Sequence, residues 1–213
     1  MSIAEEIINL IRINRISSTE VADCMGKTGV FENCKSVNRG IFACGQIRWV
    51  YACSCSNWTV HEQVRDIKKD EVVMIEAFDC EDRAIIGELV TKFVTLYSGA
   101  AALITNANLR DGNDLIKQNY PVWCKGFNPV GCFNTKPDIT PYTEMIRLHK
   151  EKYDGSIAVC DDTGVVIIPK EYHNKDFIDK LNSIEEQEDT WFEYLDKHKW
   201  NTFDIVCLKK YKG

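Results

Sequence analysis

Residues 87–114 read GELVTKFVTLYSGAAALITNANLRDGND, and the fold class turns on how this stretch divides. Residues 87–99 carry apolar side chains at helical spacing, which predicts a helix with Leu89, Phe93 and Leu96 facing inward. Residues 101–109, AALITNANL, are apolar without that period and predict a strand. The strand gives out at Arg110 and Asp111, and DLIKQN (114–119) predicts a helix that stops before Pro121. Helix, strand and helix in close succession point to an α/β domain.

The flanks repeat the alternation. In residues 1–15, Ile3, Ile7, Leu10 and Ile11 share one helical face. Ser17, with Glu20 three residues on, forms a capping-box pattern ahead of a short helix through residues 21–25. GIFACGQIRWVYAC (40–53) predicts a strand bent at Gly40 and Gly45. NWTVHEQVRDIKKD (57–70) predicts a helix that buries Val60, Val64 and Ile67, and EVVMIEAF (71–78) another strand. Downstream, PVWCKGF (121–127) and SIAVCDDTGVVIIP (156–169) predict further strands, the latter a hairpin turning at Asp162-Thr163-Gly164. Between them, Pro129, Pro137 and Pro141 break any long element and predict a surface excursion over 128–153. Residues 170–199 predict a charged helix with Phe177, Leu181, Ile184, Trp191 and Leu195 on its buried side.

Composition narrows the functional classes. A chain of 213 residues, 45% hydrophobic and 27% charged, suits one soluble core rather than two full domains. Its net charge of −6 and the lack of a basic stripe argue against direct nucleic-acid binding. Glu5 and Glu6 stand where an export signal would carry positive charge, and no apolar run is long enough to span a membrane. The ten irregularly spaced cysteines, none in a CxxC, are expected to be reduced thiols of a cytoplasmic protein. Cys53 and Cys55 share a strand face but supply only half of a tetrahedral site, so packing is the simpler role.

Glycine-rich cofactor loops, the P-loop, HExxH and GxSxG are all missing, and His61, His149, His173 and His198 have no spaced partners. Attention therefore falls on the end of the predicted strand 101–109, where α/β sheets gather ligands. Arg110 is suited to grip a carboxylate bidentately, and Asp111 to hold a hard cation completed by water. The competing reading is that Asp111 caps the helix after it and Arg110 points to solvent. Gly87-Glu88 upstream opens a helix whose N–H groups favour an anion, although Glu88 also suits the helix dipole for purely structural reasons. Together, Arg110, Asp111 and Glu88 match enolate chemistry on a 2-oxo acid.

The order of these motifs resembles the RraA-like family, which comprises the regulator of ribonuclease E activity A and class II 4-hydroxy-4-methyl-2-oxoglutarate / 4-carboxy-4-hydroxy-2-oxoadipate aldolases. SSTEVADCMGKTGVF is similar to the family's N-terminal segment, and NWTVHEQVRDIKKDEVVMIEAF to its helix and following strand. GELVTKFVTLYSGAAALITNANLRD resembles its core ending in Arg-Asp, YPVWCKGFNP its "FPVFARG" segment, and DGSIAVCDDTGVVIIP its closing hairpin. The resemblance implies an α/β fold of the swivelling β/β/α type in a single domain over 1–213, with 170–213 as a C-terminal helical extension. It further implies homotrimers or hexamers with active sites between subunits, a Mg²⁺ or Mn²⁺ cofactor, and a small 2-oxo acid cleaved or decarboxylated to pyruvate.

By the matching motif, Arg110 is expected to bind the pyruvyl carboxylate and enolate, and Asp111 to ligate the metal directly. Glu88 and Asp114 are expected to act on it through water, and the N–H groups around Leu89 to hold the substrate carboxylate. A neighbour's Glu185, Glu186 or Glu188 is expected to complete the site. The alternative implied by the namesake is a regulator that binds a ribonuclease or helicase, or an orphan relative with another oxo-acid ligand. A methyltransferase label attached to some relatives finds no cofactor loop here. The chain departs from the pattern in having one residue more between Glu88 and Arg110, which implies a bulge in the helix ending near Ser98 or a displaced Glu88. It also has Asn106-Ala107 where the family has Asp-Gly.

Overall fold

The computed structural model describes residues 1–212. Two helices, α1 (Ile3–Asn14) and α2 (Ser18–Cys24), open the chain behind capping boxes, Ser2 with Glu5 and Ser17 with Glu20. β1 (Lys35–Ser36) and β2 (Ala43–Cys53) follow, then α3 (Trp58–Gln63), which tightens into a 3₁₀ turn over Val64–Asp66. β3 (Val72–Phe78) and β4 (Ala84–Ile86) lead to α4 (Glu88–Lys92). Next come β5 (Ala102–Thr105), β6 (Asn108–Leu109), α5 (Gly112–Lys117), β7 (Val122–Cys124) and β8 (Gly126–Phe127). The chain closes with α6 (Thr143–Tyr153), the hairpin β9 (Ile157–Cys160) and β10 (Val165–Ile168), and the long α7 (Lys175–Asp196).

Seven strands make the main sheet in the order β1-β7-β5-β3-β2-β9-β10. β2, β3, β5 and β7 run parallel, while β1, β9 and β10 join antiparallel. The three adjacent parallel strands β3, β5 and β7 each break and continue as β4, β6 and β8, a second, small parallel sheet. Side chains alternate across β3, with Val73 and Ile75 on one face and Val72 and Met74 on the other. The first face packs with Val94, Leu103 and Leu115, the second with Trp49, Ile104 and Trp123. The hairpin β9–β10 is covered by α1, α2 and the first turns of α7 through Ile7, Ile11, Val21, Phe177 and Leu181.

Several expectations need correction. AALITNANL is two strands in two sheets, and PVWCKGF divides the same way at Lys125. Ala107 N–H donates to Thr105 Oγ1, and Asn106 Oδ1 accepts from Ala77 N–H, so side chains replace the ladder where the chain changes sheet. The helix after Gly87 buries Val90, Thr91, Val94 and Thr95, whereas Leu89, Phe93 and Leu96 are 80%, 41% and 63% exposed. Two stripes of that segment satisfy a helical period, and the sheet takes the β-branched one. Residues 93–97 form a π-helical turn in which Ser98 N–H donates to Phe93 O at 2.9 Å. Such a turn accommodates one residue more than an α-helix, at the place where a bulge was expected.

The proline-rich excursion also holds α6, eleven residues long, because Pro141 sits in the lead-in turn Thr140–Tyr142 where its missing N–H is harmless. On α7 only Phe177 and Leu181 of the five expected residues are buried, and Leu195 is exposed. The far half of that helix meets the turns that follow it, Phe203–Cys207, and its Glu188 faces α2. No helix among the described residues is long and apolar enough to cross a membrane.

Candidate active site

β4 and β6 leave the small sheet side by side. Arg110 N–H donates to Ile86 O at 3.0 Å, which sets Gly87 against the Arg110-Asp111 pair. The approach is so close that a β-carbon on Gly87 would lie 2.2 Å from Asp111 Oδ2 and 2.8 Å from Arg110 Cγ. Gly87 therefore serves contact, not an unusual backbone angle.

Asp111 adopts left-handed backbone angles (φ 59°, ψ 36°) at the N-cap of α5, yet its side chain accepts no hydrogen bond from that helix. Oδ2 instead accepts from Glu88 N–H, the first residue of α4, at 3.0 Å, and lies 3.8 Å from Arg110 Nε. The capping reading thus holds for the position and fails for the partner. Left-handed angles cost a non-glycine residue about 1–2 kcal/mol, less for Asp than for most. Here they turn the carboxylate away from its own helix and across to the next one.

The Arg110 guanidinium is held from the other side, where a β-carbon on Gly131 would stand 3.0 Å from Nη1. Between these walls lies a cleft of about 120 Å³, reached by Asn57 and His61, Leu89 and Val90, and Arg110 and Asp111. Thr91 N–H is the first to donate back into α4, to Gly87 O, so the N–H groups of Leu89 and Val90 have no partner within the helix. Asn57 is 9% exposed; its Nδ2 donates to Ile85 O at 3.0 Å, and its Oδ1 accepts nothing from the protein. Cys132 also edges the cleft.

Of the expected residues, Arg110, Asp111 and Leu89 meet at this cleft. Glu88 contributes its N–H, while its carboxylate turns to Tyr120, whose hydroxyl is 3.4 Å from Oε1. Burial first, then Glu88 and Asp114, raise the Tyr120 phenol, so these two carboxylates share a second acidic spot beside the cleft. Glu185 binds Asn14, and Glu188 faces Glu20 and Asp23, with burial first and those charges second raising its carboxyl. Neither lines the cleft of its own chain.

Asn57 and His61 were not anticipated. Their only sequence signal is a four-residue spacing that puts both on one helical face. His149, which has no spaced partner in the sequence, binds the buried Glu76 through Nδ1 at 3.0 Å.

The donor chemistry fits a hydrated hard cation and not a closed protein cage. Among the described residues no three His, Cys, Asp or Glu side chains converge on a cation-sized point. Asp111 places both of its contacts on Oδ2, which leaves Oδ1 as a donor, and magnesium commonly takes one or two carboxylates and keeps its waters.

Residues 18–167 match the RraA-like family, described as Aldolase/RraA. The chain belongs to this family. A relative from Halalkalibacterium halodurans, provisionally named a 4-hydroxy-4-methyl-2-oxoglutarate aldolase, is 26% identical over 171 residues, covering 78% of each chain. Among solved structures, the chain is similar to Streptomyces coelicolor RraAS2, described as an unusual member of the RNase ES inhibitor RraA protein family. That match has a TM-score of 0.67 at 17% identity and covers 87% of this chain and 96% of the other. It is also similar to the RNA-processing inhibitor RraA from Thermus thermophilis, with a TM-score of 0.55 at 15% identity over 71% and 92% of the two chains. At these identities the structural likenesses establish the RraA fold.

Proposed function

We propose that this RraA-like protein is a divalent-metal-dependent lyase that acts on 2-oxo acids through a pyruvate enolate, by aldol cleavage or by decarboxylation. The observation that carries the reading is Asp111, which gives up capping its own helix to present a carboxylate beside Arg110 in a cleft.

Arg110 grips the substrate carboxylate, for which a guanidinium is geometrically matched. The unpartnered N–H groups of Leu89 and Val90 share that load and favour negative charge as it develops. Asp111 would hold Mg²⁺ or Mn²⁺ directly through its free Oδ1, and Asp114, or Glu88 once turned from Tyr120, would act on it through water. When bound, the cation supplies Lewis acidity toward the 2-oxo oxygen. Gly87 keeps Asp111 and Arg110 in register, so the carboxylate grip and the cation site are set by one backbone approach. The exposed stripe Leu89, Phe93, Leu96 and Tyr97, one end of which lines the cleft, is the face we assign to contacts between copies in a trimer or hexamer.

The test is release of pyruvate from 4-hydroxy-2-oxo acids and oxaloacetate, coupled to lactate dehydrogenase, with Mg²⁺ or Mn²⁺. Turnover is expected to vanish with a chelator and to fall at least a hundredfold in Asp111→Ala. Equal rates in Asp111→Ala and wild type would refute the assignment. The regulatory reading, drawn from the Streptomyces and Thermus relatives, instead predicts capture of an RNA-decay enzyme that survives Asp111→Ala.

A further inference from the structure

The proposed reading leaves one buried group of the cleft unused. Asn57 is the N-cap residue of α3, yet its side chain caps nothing. Its amide is oriented by a single hydrogen bond, Nδ2 to Ile85 O at 3.0 Å, and this fixes which end is the oxygen. Oδ1 is buried and accepts no hydrogen bond from the protein. A buried amide oxygen without a donor is costly, and a native structure retains one where something outside the protein satisfies it. Arg110 and Asp111 line the same small cleft.

We propose that Asn57 is a specificity-determining residue whose Oδ1 accepts a hydrogen bond from a hydroxyl of the substrate, selecting hydroxylated oxo acids over their unhydroxylated counterparts. The inference rests on the oxo-acid reading above, and it chooses between that reading's two reactions. With the C1 carboxylate on Arg110, the next polar group of a short oxo acid beyond the 2-oxo oxygen is at C4. An aldol substrate carries a hydroxyl there, which can donate. Oxaloacetate carries a carboxylate there, which only accepts and would face Oδ1 lone pair to lone pair. Discrimination by a missing donor is strong because the protein group is then left buried and unpaired. Asn57 transfers no proton, since an amide is not a base at neutral pH; it binds and orients.

The test compares 2,4-dihydroxyglutarate with 2-hydroxyglutarate, two compounds that differ only in the C4 hydroxyl. Both lack the 2-oxo group and so are not cleaved. Calorimetric titration with Mg²⁺ present is expected to show wild type preferring the dihydroxy compound by about ten- to a hundredfold. Asn57→Leu should bring the two to within about threefold, with 2-hydroxyglutarate binding retained. Arg110→Ala should weaken both alike and leave their ratio intact. Wild type that binds both equally overturns the inference while leaving the oxo-acid site standing, and this arm needs no variant to fold. Wild type that binds pyruvate but neither glutarate overturns the inference alone, and wild type that binds none of the three overturns the oxo-acid reading with it. A preference that persists in folded Asn57→Leu overturns the role of Asn57 alone.

Discussion

Replacing Gly87 by alanine isolates the contact on which the candidate site depends. The backbone there is extended (φ −141°), so alanine meets no left-handed strain and the whole cost is steric. The added carbon would stand 2.2 Å from Asp111 Oδ2 where ordinary contact begins near 3.4 Å, so the carboxylate must retreat about 1.2 Å. A retreat of that size takes Oδ2 out of hydrogen-bonding reach of Glu88 N–H, now at 3.0 Å. The lost bond costs about 1–2 kcal/mol once the 41% exposure of the Asp111 side chain is discounted. Crowding against Arg110 Cγ adds about 1 kcal/mol, and reduced freedom of the unfolded chain returns about 0.5 kcal/mol. The net loss of about 2 kcal/mol corresponds to a fall in Tm of about 4–8 °C for a chain of this length.

Differential scanning calorimetry reads the Tm, and titration with Mn²⁺ and pyruvate reads the site, where affinity for both should drop at least tenfold. Gly40→Ala serves as the control. Gly40 has φ +76° and nothing within 4 Å of a built β-carbon, so it should lose about 1 kcal/mol by backbone strain alone and leave ligand affinity untouched. Gly87→Ala with a Tm within 1 °C of wild type and unchanged affinity would refute the reasoning.

Three further outcomes follow from the same contacts. Deleting Leu96, which is exposed within the π-turn, makes Ser98 the fourth residue after Phe93; the helix should close as α and the protein should melt cooperatively within about 2 kcal/mol of wild type in urea, whereas loss of folding would contradict the surplus-residue account. Burial, opposed by the hydrogen bond to the Ile168 backbone and aided by Lys170, holds His173 below its ordinary 6.5, so above that pH folded and unfolded chains are both neutral there. Below it the unfolded chain takes the proton first, and stability should fall from about pH 6.5 downward more steeply in wild type than in His173→Gln; parallel Tm curves between pH 7 and 5.5 would count against this. Glu76 accepts from Trp49 Nε1 at 2.6 Å and sits 3.0 Å from His149 Nδ1 while almost wholly buried, so Glu76→Ala should lose about 2–3 kcal/mol and Glu76→Gln less, both read from urea midpoints.

The period of the apolar residues made the elements legible where one element answers to one neighbour. The capping box of Ser17 with Glu20, the hairpin β9–β10 and the buried faces of α1 and α3 are local or two-body arrangements, and they fold as their residues predict. What was not legible is set by three bodies or more. AALITNANL has no proline or glycine to break it; it breaks because β3, β5 and β7 all change sheet at the same level, and the cost at Asn106-Ala107 is met by side-chain hydrogen bonds to neighbours. The helix after Gly87 offers two apolar stripes of equal period, and only the sheet behind it decides that Val90 and Val94 go in while Leu89 and Phe93 stay out.

The candidate site divides along the same line. Arg110-Asp111 stood out because two charges follow an apolar strand, but the partner of Asp111 is Glu88 N–H, twenty-three residues back, and not the helix that begins beside it. Asn57 and His61 lie further away still, on a helix whose own sequence signals nothing but packing. Asn57 therefore carries the stronger functional signal. Asp111 occupies a position that helix capping alone would fill with an acid, whereas no packing or capping role accounts for a buried amide oxygen left without a donor.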